Sequence, residues 1–436
     1  MPSATKQPPS ARDTALDILT ACRRQNAWAD AALNARLGLV AMPATEAALC
    51  ARLVYGVLQS RILLDFYLNA FCTQKVSHLQ EPLADILRLG AYQILFLDRV
   101  PDHAAVNEAV KQSVRAGRKP ASGMVNAVLR RLSREKASLP AIPDAATRYS
   151  HPRWIVERVG AILGAEETER FLAANNQIPP ITVRVNTERT TPEALLSELP
   201  GAARHPWVPD CLELLGGGAV TGLQAFRAGK FYVQDAAARL VTHVAGITRG
   251  QSVLDVCAAP GGKSFGAALN GGAVLSCDVN ANKLQRIADG AARLGLAGRI
   301  RTEQADGREF RPEWEAKFDT VLVDAPCSGL GIIRKKPDIR YRDPAALLEL
   351  PELQYAILRN AARYVRPGGV LVYSTCTILP EENERVTDRF LSEATDFRRA
   401  SFALPGRGDF PGQVTLWPQR DNTDGFYICR MERGAT

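Results

Sequence analysis

The chain has 436 residues, 46% hydrophobic and 23% charged, with a formal net charge of +8; this is ordinary globular composition, long enough for about three domains. Its start, MPSATKQPPSARD, has no apolar signal-peptide core, and no apolar run approaches the ~20 residues of a membrane span. Nine cysteines without a C-x-x-C pair argue against a disulfide framework and a zinc site. Free thiols point to a reducing, cytoplasmic setting, and the positive charge is compatible with a polyanionic partner without demanding one.

Residues 1–12 read as a disordered tail. From 13 to 136 the apolar positions recur at helical spacing: Leu16 and Leu19, then Val54, Tyr55, Val57 and Leu58, then Leu83, Ile86, Leu87, Ile94 and Leu95. They predict an all-α bundle of six or seven helices. Its last helices carry Lys111, Arg115, Arg118, Lys119, Arg130, Arg131 and Arg134 with few acids beside them. On charge alone this is equally a solvated face and an RNA-contacting one. Three stretches, Arg52–Leu58 (RLVYGVL), Ala105–Val110 (AVNEAV) and Val125–Arg131 (VNAVLRR), resemble the NusB-type helical domain. That resemblance implies RNA binding.

Residues 137–152, rich in Pro, Ser and Ala, read as a linker. Over 153–230, a helix at Trp154–Asn175, a strand at Ile181–Asn186, a helix at Pro192–Leu199 and further short strands predict a small α+β module, RRM-like or ferredoxin-like. The module lacks the paired aromatics of an RNA-reading sheet and so reads as a scaffold. Its Arg184-Val185-Asn186-Thr187 resembles a segment found upstream of the catalytic domain in one methyltransferase family.

From 231 to 436 strands and helices alternate. Strands are expected at 252–256, 273–277, 299–303, 319–323 and 369–374, and helices at 235–246, 263–270, 281–294, 344–365 and 381–394. Such alternation specifies a Rossmann-like, mostly parallel sheet covered on both faces. Gly425-Phe426-Tyr427-Ile428 is expected to add a final antiparallel strand. Ligands of these sheets lie beyond the carboxyl ends of the strands, where this chain concentrates its reactive residues.

After the first strand, Cys257-Ala258-Ala259-Pro260-Gly261-Gly262 supplies small and turn-forming residues, then Lys263 opens a helix. A strand passing through a glycine turn into a helix brings backbone N–H groups to a ligand, although the pattern is not G-x-G-x-x-G. Asp278, Asp306, Asp324 with Cys327, and Cys376 follow the next four strands. One acid at a strand end is a common turn or cap residue; the series marks a site.

Cys22, Cys50, Cys72, Cys211, Cys277 and Cys429 read as small core residues. Cys327 and Cys376 differ, because each follows an apolar strand in a loop of small or hydroxyl residues. A reactive thiol needs an electropositive setting, for which Lys263, Arg334, Lys335 and Lys336 are available. No histidine lies near in sequence, which disfavours a Cys–His arrangement. Spacing treats the two cysteines alike.

The region Ser252–Asn383 resembles the Sun/nucleolar-protein family of RNA cytosine-C5 methyltransferases. The matching motifs are Asp255–Lys263 (DVCAAPGGK), Asp324–Gly329 (DAPCSG), Arg334–Asp338 (RKKPD), Ser374–Thr377 (STCT) and Pro380–Asn383 (PEEN). Thr320 departs from the Lys, Arg or Ala usual in the family, before an otherwise intact motif. With the NusB-like part in front, the whole chain is similar to the bacterial members acting on 16S rRNA. The resemblance implies Cys376 as nucleophile at cytosine C6, Cys327 in product release and Asp324 on the N3/N4 edge of the base. It implies S-adenosylmethionine, without a metal, held by Cys257–Lys263, Asp278 at the ribose, Asp306 at the adenine and Asp324 nearby. A monomer without membrane association is expected. Two other readings stay open: a non-catalytic RNA-binding protein on the same fold, and a DNA-type enzyme using Cys327 as nucleophile. The basic loop of Arg334, Lys335, Lys336, Arg340 and Arg342 is expected to meet phosphates.

Overall fold

The computed structural model describes residues 10–25, 27–39, 42–215 and 220–435. Of the expected tail, residues 1–9 lie outside that set, while Ala11 and Arg12 already belong to the first helix, Ala11–Arg24. Ser10 caps it, its side chain accepting from the Asp13 N–H. The chain forms two compact units: Met1–Gln177 with Ile333–Arg342, and Ile178–Ile332 with Asp343–Thr436.

In the first unit, the helices Ala11–Arg24, Ala29–Leu39, Ala44–Asn69, Leu83–Phe96, Asp102–Arg115 and Ser122–Glu135 build the expected bundle. The periodic residues Leu16, Leu19, Val54, Val57, Leu83, Ile86 and Leu87 are buried in one core with Val125 and Leu129. Ala44–Asn69 is, by length and composition, apolar enough to cross a membrane. Its Cys50, Leu53, Val57, Leu64 and Leu68 are nevertheless buried in the bundle, the pattern of a central core helix. At Gly56 a Cβ would fall 2.0 Å from the Tyr92 ring, so any larger residue there would have to push that buried ring aside. Arg88, itself buried, is held by Asp65 at 2.7 and 2.8 Å and by Asp85 at 2.8 Å. The helix expected over Trp154–Asn175 is two, Arg153–Leu163 and Ala165–Ala174, because Gly164 takes a left-handed φ of 77° between them.

The segment Ile333–Arg342 completes this unit. Arg340 is fully buried and donates from Nη1 to the carbonyls of Gln59 (2.7 Å), Ser150 (3.0 Å) and Tyr149 (3.2 Å). From Nη2 it donates to the Asn175 carbonyl (3.2 Å) and to Asn176 Oδ1 (2.7 Å). With neutral acceptors around the charge, burial lowers its pKa to about 10. Tyr341 donates to the Leu58 carbonyl at 2.7 Å, and Asp338 accepts from the Ala29 N–H at 3.1 Å.

The second unit opens with an antiparallel four-stranded sheet in the order Ala202–Arg204, Cys211–Leu214, Ile181–Val185, Phe231–Val233. Buried Arg184 bonds Asp210 (3.2 Å) and Thr242 (3.0 Å), while Asn186 donates to the carbonyls of Gly229 and Leu294. These contacts fasten the small sheet to the elements that follow.

The large sheet has the order Phe397–Arg399, Phe426–Arg433, Val365–Thr375, Phe318–Asp324, Ser252–Asp255, Ala273–Asp278, Ile300–Gln304, with Gln413–Leu416 pairing beside Phe426–Arg433. Strands Val365–Thr375 through Ile300–Gln304 run parallel, and Phe426–Arg433 is antiparallel to Val365–Thr375. The expected helix over 344–365 begins instead as a 3-10 turn, Pro344–Leu347, and becomes α-helical over Leu350–Ala362. The sheet's strand order reverses between Ser252–Asp255 and Phe318–Asp324, the point where a crevice forms.

Candidate active site

Beyond the carboxyl ends of the parallel strands lies a cavity of about 520 Å³. Its lining includes Cys257 and Ala259 after the first strand, Asp278 after the second, Asp306 after the third, Asp324 and Cys327 after the fourth, and Cys376 after the fifth. Val279, Leu353 and Ile357 give it an apolar wall. The expected residues Ala258, Pro260, Gly261, Gly262 and Lys263 do not line it; they form the turn behind. There Gly261, at φ 109°, lies where a Cβ would meet the Phe265 ring at 2.6 Å, and helix Gly262–Leu269 starts.

Beneath that turn Asp255 is wholly buried. It accepts from Ser264 Oγ at 2.7 Å, which in turn accepts from Ser276 Oγ at 2.7 Å, and its Oδ1 has no partner. Burial pushes its carboxyl up to about 7. Lys263 Nζ stands 2.7 Å from Asp324 Oδ2, and the other Asp324 oxygen accepts from Ser374 Oγ at 2.8 Å. Asp278 is buried and takes the Asn280 N–H at 2.9 Å.

Asp306 is already engaged. Arg308 grips it through Nε (3.0 and 3.1 Å) and Nη2 (2.6 Å), and this hydrogen bonding holds the carboxyl below its usual range. The sequence carried no signal for that clamp.

The two cysteines meet: Cys327 Sγ and Cys376 Sγ are 3.3 Å apart. Their hydrogen bond, then burial, then the nearby Glu382 carboxylate push the Cys327 thiol well above its ordinary range. Of the cations expected to activate a thiol, Lys263 is spent on Asp324, and Lys336 pairs with Asp30 at 3.0 Å in the helical unit. The basic loop likewise departs from the phosphate-contact expectation at Arg340, which is buried on carbonyls, and at Arg342, whose guanidinium stacks 3.7 Å over the Trp28 ring. On the helical face, Lys111, Arg115 and Arg131 have acid partners in Glu108, Asp13 and Glu135. Of the six cysteines read as core, Cys50, Cys211, Cys277 and Cys429 are buried, while Cys22 and Cys72 are half-buried against the bundle core.

This strand order, with acids and cysteines at successive strand ends, defines a Rossmann-like methyltransferase domain behind a helical and a ferredoxin-like part. Residues 244–432 match the family model described as 16S rRNA methyltransferase RsmB/F, residues 9–134 the NusB family, and residues 151–221 the RsmF/B-like ferredoxin-like domain. A relative from Bacillus subtilis (strain 168), named "Probable ribosomal RNA small subunit methyltransferase B", is 35% identical over 97% of this chain and 99% of its own. The Ribosomal RNA small subunit methyltransferase B of Salmonella arizonae is 36% identical over 88% of this chain and 90% of its own. The solved structure of PH0851 superposes with a TM-score of 0.79 at 26% identity, covering 98% of this chain and all of that one. The chain belongs to the RsmB/F family of ribosomal RNA small-subunit methyltransferases.

Proposed function

We propose that this protein methylates C5 of a cytosine in 16S rRNA through a covalent adduct between Cys376 and C6 of the base. The observation that carries this reading is the pair of sulfurs 3.3 Å apart at one end of a cavity whose other strand ends carry acids. In this reading Asp278 would hold the ribose and Asp306 the adenine of S-adenosylmethionine, against an apolar wall of Val279 and Ile357 in the same cavity. When bound, that cofactor supplies an electrophilic methyl group to a nucleophilic carbon.

Cytosine C5 is a poor nucleophile until C6 is saturated. The Cys376 thiolate forms the S–C6 bond and the C5=C6 π pair moves to C5; C5 would then take the methyl group as the donor's S–CH3 bond breaks, its electron pair staying on the sulfur of the departing thioether. In release, the C5 proton leaves, its electron pair restores C5=C6, and the S–C6 bond breaks. Cys327, a thiol adjacent to Cys376, passes its proton to the departing sulfur and receives the C5 proton in exchange. Asp324 holds the N3/N4 edge, with Lys263 beside it to offset charge that develops on the ring. Attack on the face of C6 requires an unstacked base. The same reading has the protein work in the cytoplasm, where rRNA is, and as a monomer.

The test is a denaturing-gel adduct assay with 16S rRNA and S-adenosylmethionine. Cys327→Ala is expected to accumulate a protein–RNA adduct and Cys376→Ala to form none. The reverse pattern exchanges the roles and favours the DNA-type use of Cys327. Absence of both adduct and methyl transfer in every form overturns the reading.

A further inference from the structure

A buried carboxylate outside the cavity lining ties the two cysteine loops together. Glu382 is 1% exposed. Its Oε2 accepts from the N–H of Ser328, the residue after Cys327, at 2.9 Å, and from Gln354 Nε2 at 2.8 Å. Its Oε1 accepts from Oγ1 of Thr377, the residue after Cys376, at 3.3 Å. Ser328 Oγ and Thr377 Oγ1 are themselves 2.7 Å apart. The same turn is pinned from behind: Tyr373 donates to the Glu382 carbonyl at 2.7 Å, and Asn383 Nδ2 donates to the Thr377 carbonyl at 3.1 Å.

Among the described residues no Lys or Arg pairs with Glu382, so its charge is met by neutral donors alone. Burying an unpaired carboxylate is expensive, and a neutral Gln would hold the same loops at less cost. The charge therefore has a use beyond packing. Of the Glu382 contacts with the two loops the shorter, 2.9 Å, is to the backbone beside Cys327, whose surroundings also hold Cys376, Tyr373 and, three residues earlier, Asp324.

We propose that Glu382 is a positioning residue that gives the two cysteines different roles, clamping the Cys327 loop to the Cys376 loop and presenting its negative charge to Cys327. The proposal rests on the two-cysteine reading above. Negative charge beside Cys327 opposes a second anion there, so Cys327 keeps its proton for release while Cys376 attacks.

Two readouts on the full-length protein test this. The first needs no RNA: iodoacetamide alkylation of Cys327, followed by peptide mass spectrometry from pH 6 to 10. Glu382→Gln is expected to raise Cys327 alkylation at pH 8 by about threefold to tenfold, since one pKa unit is a tenfold change in thiolate. The second is turnover, which in Glu382→Gln is expected to fall about 100-fold with adduct accumulating, as in Cys327→Ala. Glu382→Asp keeps the charge but cannot span both loops; its alkylation profile stays near wild type while transfer falls about tenfold. Wild-type alkylation and transfer in Glu382→Gln overturn the proposal. If that variant does not fold, unchanged transfer in Glu382→Asp overturns it. Should the adduct assay defeat the covalent mechanism itself, the alkylation profile still judges the charge on Cys327 separately.

Discussion

Lys263 Nζ lies 2.7 Å from Asp324 Oδ2, joining the turn after Ser252–Asp255 to the end of the neighbouring strand Phe318–Asp324. A motif lysine and a motif aspartate that look independent in sequence thus form one unit. The pair is partly shielded, with side-chain exposures of 11% and 30%, so it is screened less than a surface ion pair. Lys263→Met leaves the Asp324 carboxylate without its counter-charge. We expect kcat/KM for methyl transfer to fall by about 100-fold, with Lys263→Arg recovering part of the loss. Steady-state transfer to 16S rRNA checks both.

Asp255 makes stability depend on pH. Its folded carboxyl titrates at about 7, raised chiefly by burial, whereas an unfolded Asp titrates near 4. Between those values the folded chain holds a proton that the unfolded chain releases. The stabilisation is complete below about pH 4 and is lost as pH rises towards 7, by up to about 1.4 kcal/mol per unit for one proton. Asp255→Asn keeps a neutral partner for Ser264 and removes this dependence. Comparing thermal unfolding at pH 5.5 and 7.5 is expected to show a smaller drop in the variant than in the wild type.

Arg308 holds the carboxylate proposed to meet the adenine. Arg308→Ala frees Asp306, and its pKa rises back towards the ordinary carboxylate value. If Asp306 accepts from the adenine amine, S-adenosylhomocysteine binds several-fold tighter in this variant at pH 7.5, as one charge-assisted hydrogen bond is gained without competition. Isothermal titration calorimetry measures the change; Asp306→Ala is expected to move it the other way.

Arg340→Met removes five donated hydrogen bonds and strands the buried carbonyls of Ser150 and Asn175, whereas the Tyr149 carbonyl keeps the Asn176 side chain as donor. At about 1–3 kcal/mol for each stranded group, a loss of at least ~2 kcal/mol from the helical unit is expected. Hydrogen exchange of the helices Ala44–Asn69 and Arg153–Leu163 in the full chain reads it out locally.

The sequence carried most of the architecture because its signals were periodic. Leu83, Ile86 and Leu87 mark a helix face, and the apolar runs after Ser252 and Thr320 mark buried parallel strands. The strand-end residues were legible for the same reason, as topology brings the ends of parallel strands to one crevice. Side-chain partnerships were not. Nothing in the spacing of Arg308 and Asp306 says that they close on each other. The run Arg334–Arg342 has the composition of a phosphate-binding loop, yet Arg340 turns inward onto carbonyls 165 to 281 residues away in sequence. Glu382 stood in a recognisable motif without a role, because its meaning lies in contacts with Ser328, Gln354 and Thr377.

The placement of Ile333–Arg342 bears on how the chain is made. The helical unit draws its last piece from a segment synthesised long after its own final helix, Ala165–Ala174. At ~5–20 residues per second, the nascent bundle waits on the order of ten to thirty seconds before Arg340 exists to fill it. Until then the carbonyls of Ser150 and Asn175 face whatever else is present, water or a chaperone. A fragment ending at Gln177 stays permanently in that unfinished condition, so excising the helical unit for separate study yields a bundle with an open seam.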